Sequence, residues 1–270
     1  MKKRFKLGII GCGFAAQTIM RGAVLSDLLN EKKIIVSDIL EDNLDKVNDL
    51  GVFTTDSNSF VAENSEYLLF AVQRQDYEKA VNSLKNCKVD KVISVVTGLK
   101  KNTIKNSFGV NAVKVARCAL SLPCSIGSGV IGVDMSDFNR FNDDTEFISN
   151  LFNCLGTVLS VDESKIDLIS ALSGVGVSAS FMYIDSLVDA GVKTGLSRQE
   201  AKIVAAQILS GSAEMVSRDE QSLAELIKQS CSKGGVGLEA VKAFDNGNFS
   251  GTVESAVDSG VKKLKEFSEK

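Results

Sequence analysis

An α/β fold, with an N-terminal doubly wound sheet followed by an all-helical domain, is what this sequence predicts, and three observations predict it. Short β-rich runs alternate with helical segments up to about residue 117, those runs are apolar along nearly their whole length, and strand-like runs all but vanish after residue 161. Alternation with two-sided apolar strands is the pattern of a parallel sheet covered on both faces. The predicted division is a first domain over residues 1–161 and a second over residues 162–270.

Taken in order, strands are predicted at residues 5–10, 33–37, 67–72, 89–96 and 112–118. Between them lie helical spacings, such as Leu44, Val47 and Leu50 following Asp42, or residues 77–84. A segment with the only proline, Pro123, and with Gly127 and Gly129 reads as a loop, before a strand over 129–134, a helix over 144–155 and a short strand over 157–161. Further helices are predicted at 163–172, 177–194, 198–216, 223–230, 236–244 and 253–267. Two starts carry reciprocal caps, Ser197-x-x-Glu200 and Ser222-x-x-Glu225, in which the Ser oxygen accepts a free backbone N–H and the Glu bonds back. Gly195 supplies a helix stop. Over residues 177–194, Phe181, Ile184, Val188 and Val192 recur at helical steps while Met182, Leu187 and Ala190 widen the apolar face. Such a helix is expected to have neighbours on several sides, a partner chain among them.

Composition narrows the function. The 31 Lys+Arg against 34 Asp+Glu include no basic run with interleaved aromatics, which argues against nucleic acid. The six cysteines are scattered without a C-x-x-C pair, so neither a zinc site nor a disulfide framework is expected, and reduced thiols predict a cytoplasmic protein. No histidine occurs, which removes the usual general base near neutral pH and the commonest transition-metal ligand. No metal is expected, and Ser–His and Cys–His catalysis are excluded. The start, Met1-Lys-Lys-Arg, looks like an export signal, but Lys6 leaves only Leu7 to Ile10 before Gly11, so it reads as a strand. No other segment is expected to approach membrane-spanning length.

Gly11-Cys-Gly13-Phe14-Ala15-Ala16 places Gly-x-Gly-x-x-Ala directly after a strand and at the opening of a helix. Gly11 permits the tight turn, Gly13 lets the backbone approach a pyrophosphate, and Ala16 allows close helix–sheet packing, which points to a Rossmann-type dinucleotide site. The second strand ends in Ser37-Asp38, an acid 22 positions beyond Ala16. A carboxylate there accepts from ribose hydroxyls and repels a 2′-phosphate, so NADH is favoured over NADPH. The other reading is that Asp38 caps the next turn and never meets the ribose.

The same two-part order, with Asp167-Leu-Ile-Ser-Ala-Leu-Ser173-Gly174-Val-Gly176, then Ser186-Leu-Val-Asp-Ala-Gly-Val-Lys-x-Gly195-Leu, and with Ser232-Lys233-Gly234-Gly235-Val236-Gly237, resembles the pyrroline-5-carboxylate reductase family over nearly the whole chain. Weaker matches are Phe70-Ala71-Val72-Gln73, Ser94 to Gly98, and Arg117 to Pro123. The resemblance implies an intimate homodimer, with dimers building a decamer, and a small cyclic imine as substrate. It implies that Ala71, Val72 and Gln73 join Phe14, Ala15 and the glycines in holding the cofactor. It also makes Ser173 and Ser232 the candidate catalytic hydroxyls, and Gly174, Gly176, Ser232, Lys233, Gly234, Gly235 and Val236 the candidate substrate contacts. Departures cluster at the chemistry: Leu120, Ser121 and Leu122 replace Pro, Asn and Thr, Val177 replaces a proline, Gln73 and Arg74 replace Lys-Pro, and Gly237 replaces a threonine that in the family contacts the substrate ring nitrogen.

Reducing an imine requires a hydride donor held against an electrophilic carbon, and an imine that arrives protonated needs no strong general acid, so the absence of histidine is compatible with this class. The Ser232-Lys-Gly-Gly segment before a helix offers backbone N–H groups to a carboxylate. Arg117 reads equally as a surface ion pair or a ligand contact, Cys118 and Cys124 as packed thiols, and Asp143, Asp144 and Glu146 as a solvated helix start. Three functions follow: reduction of 1-pyrroline-5-carboxylate to L-proline, reduction of a different cyclic imine, or a catalytically silent dinucleotide-binding paralogue acting as sensor or assembly partner. No membrane partner is expected.

Overall fold

The computed structural model describes residues 3–108, 113–140, 142–218 and 220–269. The chain folds as two compact units, Met1–Gly174 with Gly260–Lys270, and Val175–Ser259.

In the first unit the chain runs β1 (Phe5–Ile10), α1 (Phe14–Leu25), β2 (Ile34–Ser37), α2 (Glu41–Asp45), β3 (Phe53–Thr55), α3 (Asn58–Asn64), β4 (Ser65–Phe70), α4 (Tyr77–Asn82), β5 (Lys91–Ser94), α5 (Lys101–Phe108), β6 (Lys114–Leu120), β7 (Gly129–Asp134), α6 (Asp143–Asn153) and β8 (Gly156–Ser160). The strands form one sheet in the order β3-β2-β1-β4-β5-β6-β7-β8. All neighbours are parallel except β6 and β7. Between those two the chain has only a 3-10 turn, Leu122–Ile126 with Pro123 in its first turn, and no crossover helix, so it can only return antiparallel. Side chains alternate between two apolar clusters: β4 sends Tyr67 and Leu69 into one, Leu68 and Phe70 into the other. Burial on both faces is why the strands read as continuous apolar runs. The expected first residue of the fifth strand, Ala112, lies outside the described residues. The sequence does not predict β3, whose three residues leave too little pattern to read.

The opening of α6 differs from the expected solvated helix start. Tyr67 donates its hydroxyl to Asp144, Lys91 pairs with both Asp144 and Glu66, and Lys6 pairs with Glu66 at 3.0 Å. This network ties α6 to the first residues of β1, β4 and β5.

The helices that follow are α7 (Glu163–Lys193), α8 (Arg198–Arg218), α9 (Leu223–Ser230), α10 (Val236–Asn246) and α11 (Phe249–Glu269). Both predicted caps form: Glu200 accepts from Ser197 N–H at 2.8 Å, and Ser222 with Glu225 closes a capping box. Gly195 ends α7, where Leu196 N–H donates to Gly191 O at 3.1 Å. The helices expected at 163–172 and 177–194 are one helix of 31 residues, so Ser173, Gly174 and Gly176 lie inside it and do not open it. With Val177 where a proline would break the ladder, the glycines cost only about 1 kcal/mol each and propagation continues. With a mean hydropathy of 1.4 over its most apolar 18 residues, α7 is also long and apolar enough to cross a membrane by length and composition, contrary to the expectation that no such segment exists.

Within Val175–Ser259 the buried cluster among the described residues is small: Val188, Ala201 and Ala205, with Ile184 and Leu187 packed against it. Phe181, Met182, Ile203 and Ile208 are each more than half exposed. A unit with so little buried apolar surface cannot supply its own stability.

Candidate functional site

The turn after β1 is built by a left-handed residue. Gly11 has φ +92°, and a Cβ there would lie 2.9 Å from the Ala71 carbonyl carbon and oxygen, so only glycine fits. The turn is pinned by Gly11 N–H to Ser37 O at 2.8 Å and by Ala71 N–H to Ile10 O at 2.9 Å, which bring the C-terminal ends of β1, β2 and β4 together. Gly13 is the N-cap of α1, no side chain caps that helix, and a Cβ at Gly13 would meet nothing within 4 Å. The amides of the first turn, Phe14 and Ala15 among them, therefore open α1 beside unencumbered backbone, the arrangement that binds a diphosphate. Ala16 is fully buried against the sheet.

A cavity of about 520 Å³ opens at this edge. Of the residues expected to hold the cofactor, Gly11, Gly13, Ser37, Asp38, Ala71, Val72 and Gln73 line it together. Phe14, Ala15 and Ala16 do not; Phe14 is 55% exposed and borders a separate groove with Gln17, Arg21, Leu25 and Ile126. Asp38 bonds the glycine turn and its own loop, accepting Cys12 N–H at 2.6 Å and Leu40 N–H at 2.9 Å. It therefore caps its turn, as the second reading expects, and also lines the cavity. Burial, helped by the Asp38 charge, pushes the Cys12 thiol up to about 11, and it stays protonated, donating to Asn43 O at 3.3 Å.

Besides Ser37, the far side of the cavity holds residues that the sequence does not single out, Asn58, Lys79 and Ser83. Ser37, wholly buried, donates to Asn58 Oδ1 at 2.7 Å, and Asn58 donates to Ser83 Oγ at 3.1 Å. Lys79 lines the same wall. The only local signal was the turn-like Asp56-Ser57-Asn58, where Ser57 caps α3 by accepting Phe60 N–H at 3.2 Å. The open volume, the uncapped helix and the bare backbone at Gly13 fit a dinucleotide.

The other expected site residues are placed as follows. Ser173, half-buried on α7, donates its hydroxyl to Ser170 O at 3.2 Å, while Gly174 and Gly176 face open space on that helix. Ser232 to Gly235 form a turn closed by Gly235 N–H to Ser232 O at 2.9 Å, with Lys233 and Gly234 at its centre. That bond removes the Gly235 amide from the donors expected for a carboxylate. What remains is the first turn of α10, which no side chain caps, beginning at the 89% exposed Val236. A Cβ on Gly237 would lie 2.2 Å from Ser230 O, so this turn is closed to any larger residue. Arg117 is 2% exposed and ion-paired to the partly exposed Glu163 and Asp167, a buried guanidinium in place of the expected surface pair or ligand contact. Burial pushes the Cys118 and Cys124 thiols up, as packed thiols require. Among the described residues no metal-ligand cluster occurs.

Two family models match: pyrroline-5-carboxylate reductase dimerisation over residues 163–267, and NADP oxidoreductase, coenzyme F420-dependent, over residues 6–98. A pyrroline-5-carboxylate reductase of Arabidopsis thaliana is 30% identical, over 98% of this chain and 96% of that one. That of Aquifex aeolicus is 27% identical, over 97% of each. Among solved structures, a pyrroline-5-carboxylate reductase from Coxiella burnetii superposes with a TM-score of 0.84 at 26% identity, covering 98% and 99% of the two chains. A pyrroline carboxylate reductase from Plasmodium falciparum with NADP bound shares the fold, at a TM-score of 0.87 and 24% identity over 99% and 100%.

Proposed function

Because the chain belongs to the pyrroline-5-carboxylate reductase family of NAD(P)-dependent oxidoreductases, we propose that it reduces 1-pyrroline-5-carboxylate to L-proline with NADH as the preferred donor. The observation that carries this reading is the turn from Gly11 to Ala16 opening onto a cavity lined by Asp38, Ala71, Val72 and Gln73. When bound, the reduced nicotinamide supplies a hydride to the imine carbon. The protein's part is to position and to dehydrate: the α1 amides hold the diphosphate, and Asp38, fixed by two backbone N–H groups, presents its remaining lone pairs to the ribose hydroxyls and a negative charge to any 2′-phosphate. Ser173 and Ser232 are the proposed hydroxyls at the substrate, with Gly174, Gly176 and Lys233 to Val236 as its other contacts. The first-turn amides of α10 are the natural ligand for its carboxylate. A protonated imine needs no histidine, and the chain has none.

The domain reading accompanies the function: residues 1–161 hold the dinucleotide and residues 162–270 dimerise, supported for the second by the dimerisation model over 163–267, while the oxidoreductase model over 6–98 lies within the first. The exposed apolar faces of α7 and α8 then meet a second copy of the chain, not a bilayer, and dimers build a larger assembly in a cytoplasmic enzyme. The test is NADH oxidation by the purified protein with 1-pyrroline-5-carboxylate. Turnover at a kcat/KM above that with NADPH is expected. Turnover only with larger cyclic imines favours the second substrate reading, which the closed turn at Gly237 supports. Tight NADH binding with no turnover on any imine would make the chain a silent sensor or assembly partner.

A further inference from the structure

The first unit buries a set of charges that the dinucleotide cavity does not use. Arg117, in the middle of β6 and opposite Asp134 of β7, is 2% exposed. Its Nη2 donates to Asp167 and its Nη1 to Glu163 at 3.5 Å, while its buried Nε has no acceptor. Glu163 also accepts the Lys101 backbone N–H at 2.7 Å, and the Lys101 ammonium, 4% exposed, pairs with Asp134 at 3.1 Å and Asp137 at 3.0 Å. Strands β6 and β7 and helix α5 are thereby tied to the first two turns of α7.

Glu163 and Asp167 stand four residues apart, on one face of the helix. Ile166, 1% exposed, and Ile169, which would contact a Cβ at Gly132 from 3.0 Å, supply apolar packing beside them. Apolar contact is non-directional and tolerates small rotations and slides of a helix. A guanidinium held between two carboxylates does not, because its donors are fixed in a planar fork. Buried ions are a poor source of net stability, since apolar side chains of similar size hold a core at least as well. Their use here lies in register.

We infer that Arg117 is a positioning residue, which through Glu163 and Asp167 fixes the rotation and register of α7 and so aims Ser173 and Gly174, two turns further along. This rests on the proposed reading that these two residues contact the substrate.

Arg117→Met alone leaves the two partly exposed carboxylates facing each other without the guanidinium between them, and is expected to destabilise the start of α7. The informative protein is therefore the full chain carrying Arg117→Met, Glu163→Gln and Asp167→Leu together, in which the side-chain amide oxygen introduced at position 163 still accepts the Lys101 N–H. It is expected to unfold cooperatively, to exchange the amides of residues 170–174 faster than the parent, and to lose about tenfold in kcat with the KM for NADH unchanged. Arg117→Lys, which keeps a charge but not the fork, is expected to fall between the two. Faster exchange with an unchanged kcat, or a lower kcat with unchanged exchange, overturns the inference, as does no change in either. A parent without imine turnover removes the reductase reading instead, and the exchange measurement then decides by itself whether Arg117 fixes the helix.

Discussion

Asp38 carries two duties on one carboxylate. It accepts from the Cys12 and Leu40 amides and it faces the cavity beside Ser37. Replacing it with Asn keeps a near-identical shape and an acceptor for one of the two amides, loses the bond to the other, and removes the charge. Asp38→Asn is therefore expected to move the ratio of kcat/KM for NADPH over NADH upward by about tenfold, the effect of ~1.4 kcal/mol less repulsion. An unchanged ratio in steady-state assays with both donors would exclude Asp38 from cofactor choice. Gly237 makes the opposite kind of point. The resemblance places a threonine at this position, yet a Cβ there would sit 2.2 Å from Ser230 O. Gly237→Thr is expected to destabilise by about 1–3 kcal/mol and to lower the thermal midpoint without raising turnover. A gain in imine reduction at unchanged stability would show that the turn yields easily and that the lost hydroxyl is what limits the substrate.

At the level of elements, the strands and turns were legible where the determinants are local. β1 and β7 have the bounds the apolar runs predict, and the glycine turn declares itself through Gly11 and Gly13 because their job is done by backbone next to them in the chain. What could not be read depends on partners far away in sequence. Asn58, Lys79 and Ser83 join the cavity only because β2, β3 and β4 are brought together in the sheet, and Arg117 is buried only because Glu163 and Asp167 return to meet it. The continuity of α7 through Gly174 and Gly176 likewise depends on a summed helix propensity that no single residue displays. The opening of α6 belongs with these. Burial alone would raise the Asp144 and Glu66 carboxyls, but bonds from Lys91 with Tyr67 to the first, and from Lys6 with Lys91 to the second, outweigh it and hold both below the usual range. Burial would lower Lys91, and Asp144 and Glu66 outweigh that and raise it. Lowered carboxylates contribute stability that is present above the unfolded value of about 4 and is lost as pH falls through the folded value. The raised lysine contributes stability present below about 10.4 and lost as pH rises through its folded value. Thermal midpoints between pH 2 and 6 are expected to fall less steeply in Asp144→Asn than in the parent. An identical slope would assign the acid limb to other carboxylates.

For the molecule as a whole, the imbalance between the two units sets the requirement. The sheet unit has an extensive apolar cluster on each face, whereas Val175–Ser259 buries Val188, Ala201 and Ala205 as its core among the described residues. Helices with so much exposed apolar surface gain their stability from something outside their own unit. The match of residues 163–267 to a dimerisation domain points to a second copy as that partner. Folding of this unit and association are then one equilibrium, and the thermal midpoint must rise with protein concentration. Phe181, 57% exposed on α7, is a direct probe, because a charge there costs the monomer little but cannot be buried unpaired between two copies. Phe181→Asp is expected to shift sedimentation at micromolar concentration from dimer or larger toward monomer, and to remove the dependence of the midpoint on concentration. A parent chain that sediments as a monomer and melts cooperatively at a concentration-independent temperature would mean that the helical unit closes its own core, and the proposed assembly would have to be abandoned.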